Sequence, residues 1–174
     1  MRLFASLFFP LVMLVLPIDS SASGIKCAIE KYRRYATAQE QWQRDSTDLI
    51  VNANSKFREI ATLGRDIQLY LIEMKLIETE FMVVNAPERV RFEAILNGWF
   101  TLNDNDKVEI AKSNPRYTEL SNLLQVARLR IRDPDIVALR PLMQNQVSTI
   151  SEYQSLLHKT SATMMTINGI ACNK

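Results

Sequence analysis

The sequence has one histidine, two cysteines and four glycines, and these scarcities exclude several chemistries at once. With a single histidine and no thiol to spare, Ser-His-Asp and Cys-His nucleophilic systems are nearly excluded. No Cys-x-x-Cys is present for thioredoxin-type exchange, and no Cys-x-x-Cys-His for covalent haem attachment. Little glycine and only six prolines argue against a turn-rich β architecture, and the wealth of Leu, Ile, Met, Glu, Gln, Arg and Ala favours helices. A net charge of +2 is too small to point to nucleic acid or an anionic membrane. Repeats, low-complexity tracts and long linkers are also missing, so one domain is expected.

The chain opens with Met1-Arg2 and an unbroken apolar run to Leu16. That run is about 14 residues, short of the roughly 20 that a membrane-spanning helix needs. Pro17 ends it, and Ser20-Ser21-Ala22-Ser23-Gly24 follows. Signal peptidase needs small side chains just before its cut, so residues 1–22 read as a signal peptide, with cleavage after Ala22 or after Gly24. Cys27 follows Lys26 rather than the small residue that precedes a lipidated cysteine. The expectation is a free periplasmic or secreted domain over residues 25–174, with no transmembrane anchor.

Cys27 and Cys172 stand at the two ends of that domain. In an exported protein such a lone pair reads as a disulfide. It is geometrically natural if the first and last helices run antiparallel. Apolar spacing predicts a first helix from Ala28 to Leu63 closing at Gly64, with the poor helix formers Asp45-Ser46-Thr47-Asp48 able to kink or split it. A second is expected from Arg65 to Val84. A third should begin at Pro87 and carry Val90, Ala94, Ile95, Trp99 and Leu102. Asp106 with Glu109 resembles a capping box. Asn114-Pro115 and Asp133-Pro134 read as N-cap and N1 pairs, and Pro141 kinks or restarts the last helix. That helix carries Met143, Val147, Ile150, Tyr153, Leu157, Thr160, Met164 and Ile167, and Gly169 is expected to end it in a left-handed conformation. The fold class is all-α: an antiparallel helical bundle with long first and last helices and termini joined by a disulfide.

Candidate chemistry is sparse. Asp104-Asn105-Asp106-Lys107-Val108-Glu109 lacks the glycine and distant glutamate of a calcium loop and reads as a turn with a capped helix. His158 with Met74, Met82, Met164 or Met165 would be the only haem ligands, but His158 falls on the flank of its helix, near solvent. Glu78 is the one acid inside an apolar stripe, beside Leu71, Met74 and Phe81, where burial would suit a general acid. The structural alternatives are an interhelical ion pair with an arginine, or a position at the stripe edge where the carboxylate reaches water. The series Arg128, Arg130, Arg132 and Arg140 reads as a solvated face.

The second helix is apolar on two sides: Ile67, Tyr70, Leu71, Met74, Ile77, Phe81 and Val84 on one, Leu69, Ile72, Leu76 and Val83 on the other. Such a helix either sits in the middle of its own bundle or offers one strip, here Leu69, Ile72, Leu76 and Val83, to another chain or a second copy. The function expected is an exported, non-enzymatic protein-binding module of inhibitor, immunity, chaperone or adaptor type, acting on another envelope or secreted protein. No metal or cofactor is implied. The alternatives are a cell-wall hydrolase using Glu78, or a small-ligand or haem carrier built in the bundle core.

Overall fold

The computed structural model describes residues 20–92, 94, 98–131 and 133–172; residues 1–19 of the expected signal peptide lie outside them. The described residues form six α-helices and no strand: α1 (Ser20–Ala53), α2 (Arg58–Asn85), α3 (Asp104–Ser113), α4 (Pro115–Arg130), α5 (Asp133–Asn145) and α6 (Ser151–Asn168). Short 3₁₀ turns at Ser55–Phe57, Pro87–Arg89 and Val147–Thr149 connect or precede them. The all-α antiparallel bundle expected from the sequence is the fold observed.

The first break falls at Asn54, not at Gly64 or near Asp45. Asn54 is extended (φ −161°, ψ 105°), and its side chain accepts from the Lys56 N–H, capping the following turn. Gly64 lies inside α2, where a methyl group would meet nothing within 4 Å. The weak helix formers before the break stay helical, with Thr47 buried and the Thr47 and Ser46 hydroxyls both donating back to the Gln43 carbonyl, at 2.7 and 3.3 Å.

The helix expected from Pro87 is also corrected. Among the described residues there is no α-helix there: the chain makes the 3₁₀ turn Pro87–Arg89 and then leaves helical geometry at Val90. The reason is Trp99, which is fully buried and folds the segment round itself. Its indole N–H donates to the Ala94 carbonyl (3.1 Å), and its own carbonyl accepts from the Arg91 N–H (2.7 Å). A continuous helix could not satisfy those groups and bury the ring between Tyr32 and Phe92.

Three smaller corrections concern helix ends. The capping box is Asn103 with Asp106, three residues earlier than Asp106 with Glu109. Asn114 caps α4 as expected, with Pro115 in its first turn. Pro141 lies inside α5, and the restart comes instead at Gln146–Ile150, so the single last helix of the sequence reading is α5 plus α6. Gly169 ends α6 in a right-handed conformation (φ −71°, ψ −10°), not the left-handed one.

Packing follows from which helices share clusters. Ala28 and Tyr32 near the start of α1 meet Met82 and Val83 near the end of α2, so these two long helices run antiparallel. Leu63 and Ile67 of α2 pack on Leu124 and Ala127 of α4, while Glu73 pairs with Arg116 and Glu78 meets Tyr117, which sets α4 antiparallel to α2. α6 runs back along α1, with Tyr153 on Trp42 and Ile167 in the cluster of Ala28. The row is therefore α6–α1–α2–α4, with α1 and α2 in the middle. Cys27 and Cys172 are bonded at the end where α1 begins and α6 finishes, with an S–S distance of 2.05 Å.

Candidate functional site

The strip Leu69, Ile72, Leu76 and Val83 is explained by the middle position of α2. Val83 is fully buried against α1, Ile72 is buried, and Leu76 packs on the same cluster as Val83; Leu69 is half-buried. The opposite stripe, with Ile67, Tyr70, Leu71 and Met74, faces α4. Most of both apolar faces is thus covered by the chain's own helices, with Val84 at the end of α2 left exposed.

Glu78 does sit inward, its side chain 13% exposed, but both oxygens have structural partners. The Tyr117 hydroxyl donates to Oε1 at 2.9 Å, and Lys75 Nζ lies 3.1 Å from Oε2. Its cation is therefore a lysine of its own helix rather than an arginine. The same ammonium lies 4.0 Å from the centre of the Phe100 ring. Burial, and then the neighbouring Glu78 charge, push the Tyr117 phenol well above its ordinary range. The cluster joins α2, α4 and the Trp99 segment, and as a hydrogen-bonded tie it is complete.

His158 is exposed on the outer side of α6, as is Met165. Met82 is fully buried in the disulfide-end cluster. Among the described residues no three His, Cys, Asp or Glu side chains converge on a metal-sized site. Leu156 rather than Leu157 faces α1, lining a groove with Ala38 and Thr160, and Leu157 is exposed.

The disulfide end holds one buried cation. Lys31 is 5% exposed and donates to the carbonyls of Asn168 (2.9 Å) and Ile170 (2.8 Å), the acceptors that the end of α6 leaves open. Burial pushes its ammonium below the ordinary lysine value. With the neighbouring disulfide, this contact fixes the end of α6 against α1.

The opposite end of the molecule is different in kind. On α4, Tyr117, Leu120, Leu124 and Ala127 are buried, and the far side carries Val126 and Leu129, the latter 80% exposed. The first turns of α5 add Ile136 and Val137, the latter 64% exposed. α5 is anchored through Leu139, Leu142 and Met143 to the cluster of Ile50, Val51 and Val147, while Ile136 and Val137 in its first turns stay exposed. Between the two helices and the start of α2 lies a cleft of about 160 Å³ lined by Lys56, Phe57, Ile60, Leu63, Arg130 and Ala138, with Glu59 at its rim 3.8 Å from Arg130. Sequence reasoning missed this corner, although the signal was present. Val126 and Leu129 are spaced i, i+3 on the side of α4 opposite its buried stripe, and the arginine series brackets them.

No helix among the described residues is long and apolar enough to cross a membrane. No known family model matches the chain, and no curated protein or solved structure is significantly similar to it.

Proposed function

We propose that this chain is an exported, non-enzymatic binding module that acts on another envelope or secreted protein through the α4–α5 corner. The observation that carries the reading is the uncovered apolar set Val126, Leu129, Ile136 and Val137 beside a preformed cleft. Single exposed apolar side chains are ordinary, but four of them within twelve residues on either side of the α4–α5 junction are more than scatter, and exposed apolar patches mark interaction surfaces. The domain supporting it is tied at the far end by a disulfide, which suits the oxidising compartment that the leader implies, periplasmic or extracellular. An inhibitor, immunity factor, chaperone or adaptor all work in this way, by presenting a rigid helical face.

Site-specific photo-cross-linking in the producing cell tests it. A cross-linker at position 129 or 137 should trap one discrete envelope or secreted protein, and one at Lys112 on α3 should not. Equal, diffuse labelling from all three positions would overturn the reading.

A further inference from the structure

Among the described residues, most cations around this corner have no acidic partner. Over the rest of the surface most arginines are paired: Arg33 with Glu80, Arg65 with Asp66, Arg89 with Asp106, Arg116 with Glu73. At this end Lys56, Arg58, Arg128 and Arg140 have no ion pair among the described residues, and Arg130 reaches Glu59 only at 3.8 Å. The other described lysines and arginines without an acid, Lys26, Arg44 and Lys159, are scattered along α1 and α6, apart from Lys31 and Arg91, which donate to carbonyls. The sequence adds Arg132 between α4 and α5 and Asp133 and Asp135 at the start of α5, and cations still outnumber acids across the corner.

We propose that this corner binds an acidic amphipathic segment of a partner protein, its apolar side on Leu129 and Val137 and its carboxylates on the surrounding guanidinium groups. The proposal rests on the binding reading above and names the partner's chemistry. Four of the five bracketing cations are arginines, whose planar fork holds a carboxylate by two parallel hydrogen bonds where lysine offers a point charge. A second copy of this chain is disfavoured, because joining two such corners would bring like charges together. A lipid surface is disfavoured too: the most exposed apolar side chains are valine, leucine and isoleucine, and the aromatic Phe57 is half-buried in the lining of the cleft instead of projecting as a membrane-interface anchor would. The cleft also suits a side chain better than a plane of headgroups.

Titration of the oxidised protein, followed by amide NMR, decides the matter. The probes are a synthetic helical peptide with leucines on one face and glutamates on the other, the same peptide with glutamines for glutamates, and phosphatidylcholine vesicles containing phosphatidylglycerol. The acidic peptide should shift amides of residues 126–140 and 56–60, bind about tenfold more tightly than the glutamine peptide, and weaken with salt. Arg130→Glu combined with Arg140→Glu should cost about tenfold in its affinity, with the remaining spectrum unchanged. Equal binding of both peptides at the corner overturns the acidic selection while leaving the binding reading intact. Acidic-peptide shifts elsewhere, no binding at millimolar peptide, or binding of vesicles alone overturns the proposal.

Discussion

Lys31 shows how one side chain at a helix end can matter more than many contacts along its length. Its ammonium meets two carbonyls at the close of α6, where the helix dipole favours a cation. Lys31→Met keeps the stem's packing and removes both bonds, and should lower unfolding free energy by about 1–3 kcal/mol in urea melts. Buried Tyr32 makes a pH prediction. Burial raises its phenol to about 12, opposed next by a hydrogen bond with Thr79 and assisted by the smaller effects of Tyr35 and Glu78. The folded protein thus holds this proton more tightly than the unfolded chain does. That stabilisation is complete below the ordinary value of 10.0 and is lost as pH rises towards about 12. Stability should fall over that window by up to about 2–3 kcal/mol, and Tyr32→Phe should flatten the fall. The lowered Lys31 value works in the opposite sense below 10.5, which is why the tyrosine variant and not the raw profile isolates the effect. Neither residue was legible in the sequence. Lys31 and Tyr32 look like any residues of an amphipathic helix until the far end of the chain is brought back over them.

α2 is the element that the sequence described best and placed least well. Its two apolar faces were plain from spacing, but whether a partner or its own bundle covered the second depended on α1 running back alongside it. The structure answers for the chain: Val83 is fully buried and Leu76 packs beside it. Val83→Asp should therefore prevent folding, since an unpaired charge in a core is among the most damaging changes, and Leu76→Asp should destabilise by several kcal/mol in the same melts. The start of α2 was misread because Gly64 resembles a stop signal, whereas the stop is an asparagine cap ten residues earlier. Gly64 is helical with open space at its Cβ position, so Gly64→Ala should raise stability by about 0.5–1 kcal/mol. The segment after Pro87 was misread for another reason. Helical spacing of Val90, Ala94 and Trp99 was real, but burying the indole and satisfying its N–H within the same short segment outweighed propensity.

At the scale of the whole molecule, the two ends are built for different purposes. One is closed by Cys27–Cys172, Lys31 and the ring cluster of Trp99, Tyr32 and Phe92. The disulfide spans 145 residues, and its reduction should cost about 2–4 kcal/mol, visible as a lowered melting temperature. This closure was legible, because two cysteines at the ends of a single helical domain leave few other arrangements. The other end carries the uncovered corner of α4 and α5; the i, i+3 spacing of Val126 and Leu129 stood in the sequence, but that no other helix covers that side is a fact about neighbours and not about spacing. Leu129→Glu tests the account most directly, with thermal melting and acidic-peptide affinity measured on the same oxidised sample. At 80% exposure the change should leave stability within about 0.5 kcal/mol of the parent and reduce the affinity about tenfold or more. A variant that melts several degrees lower, or one that binds the peptide as well as its parent, would contradict the claim that this corner is the working surface.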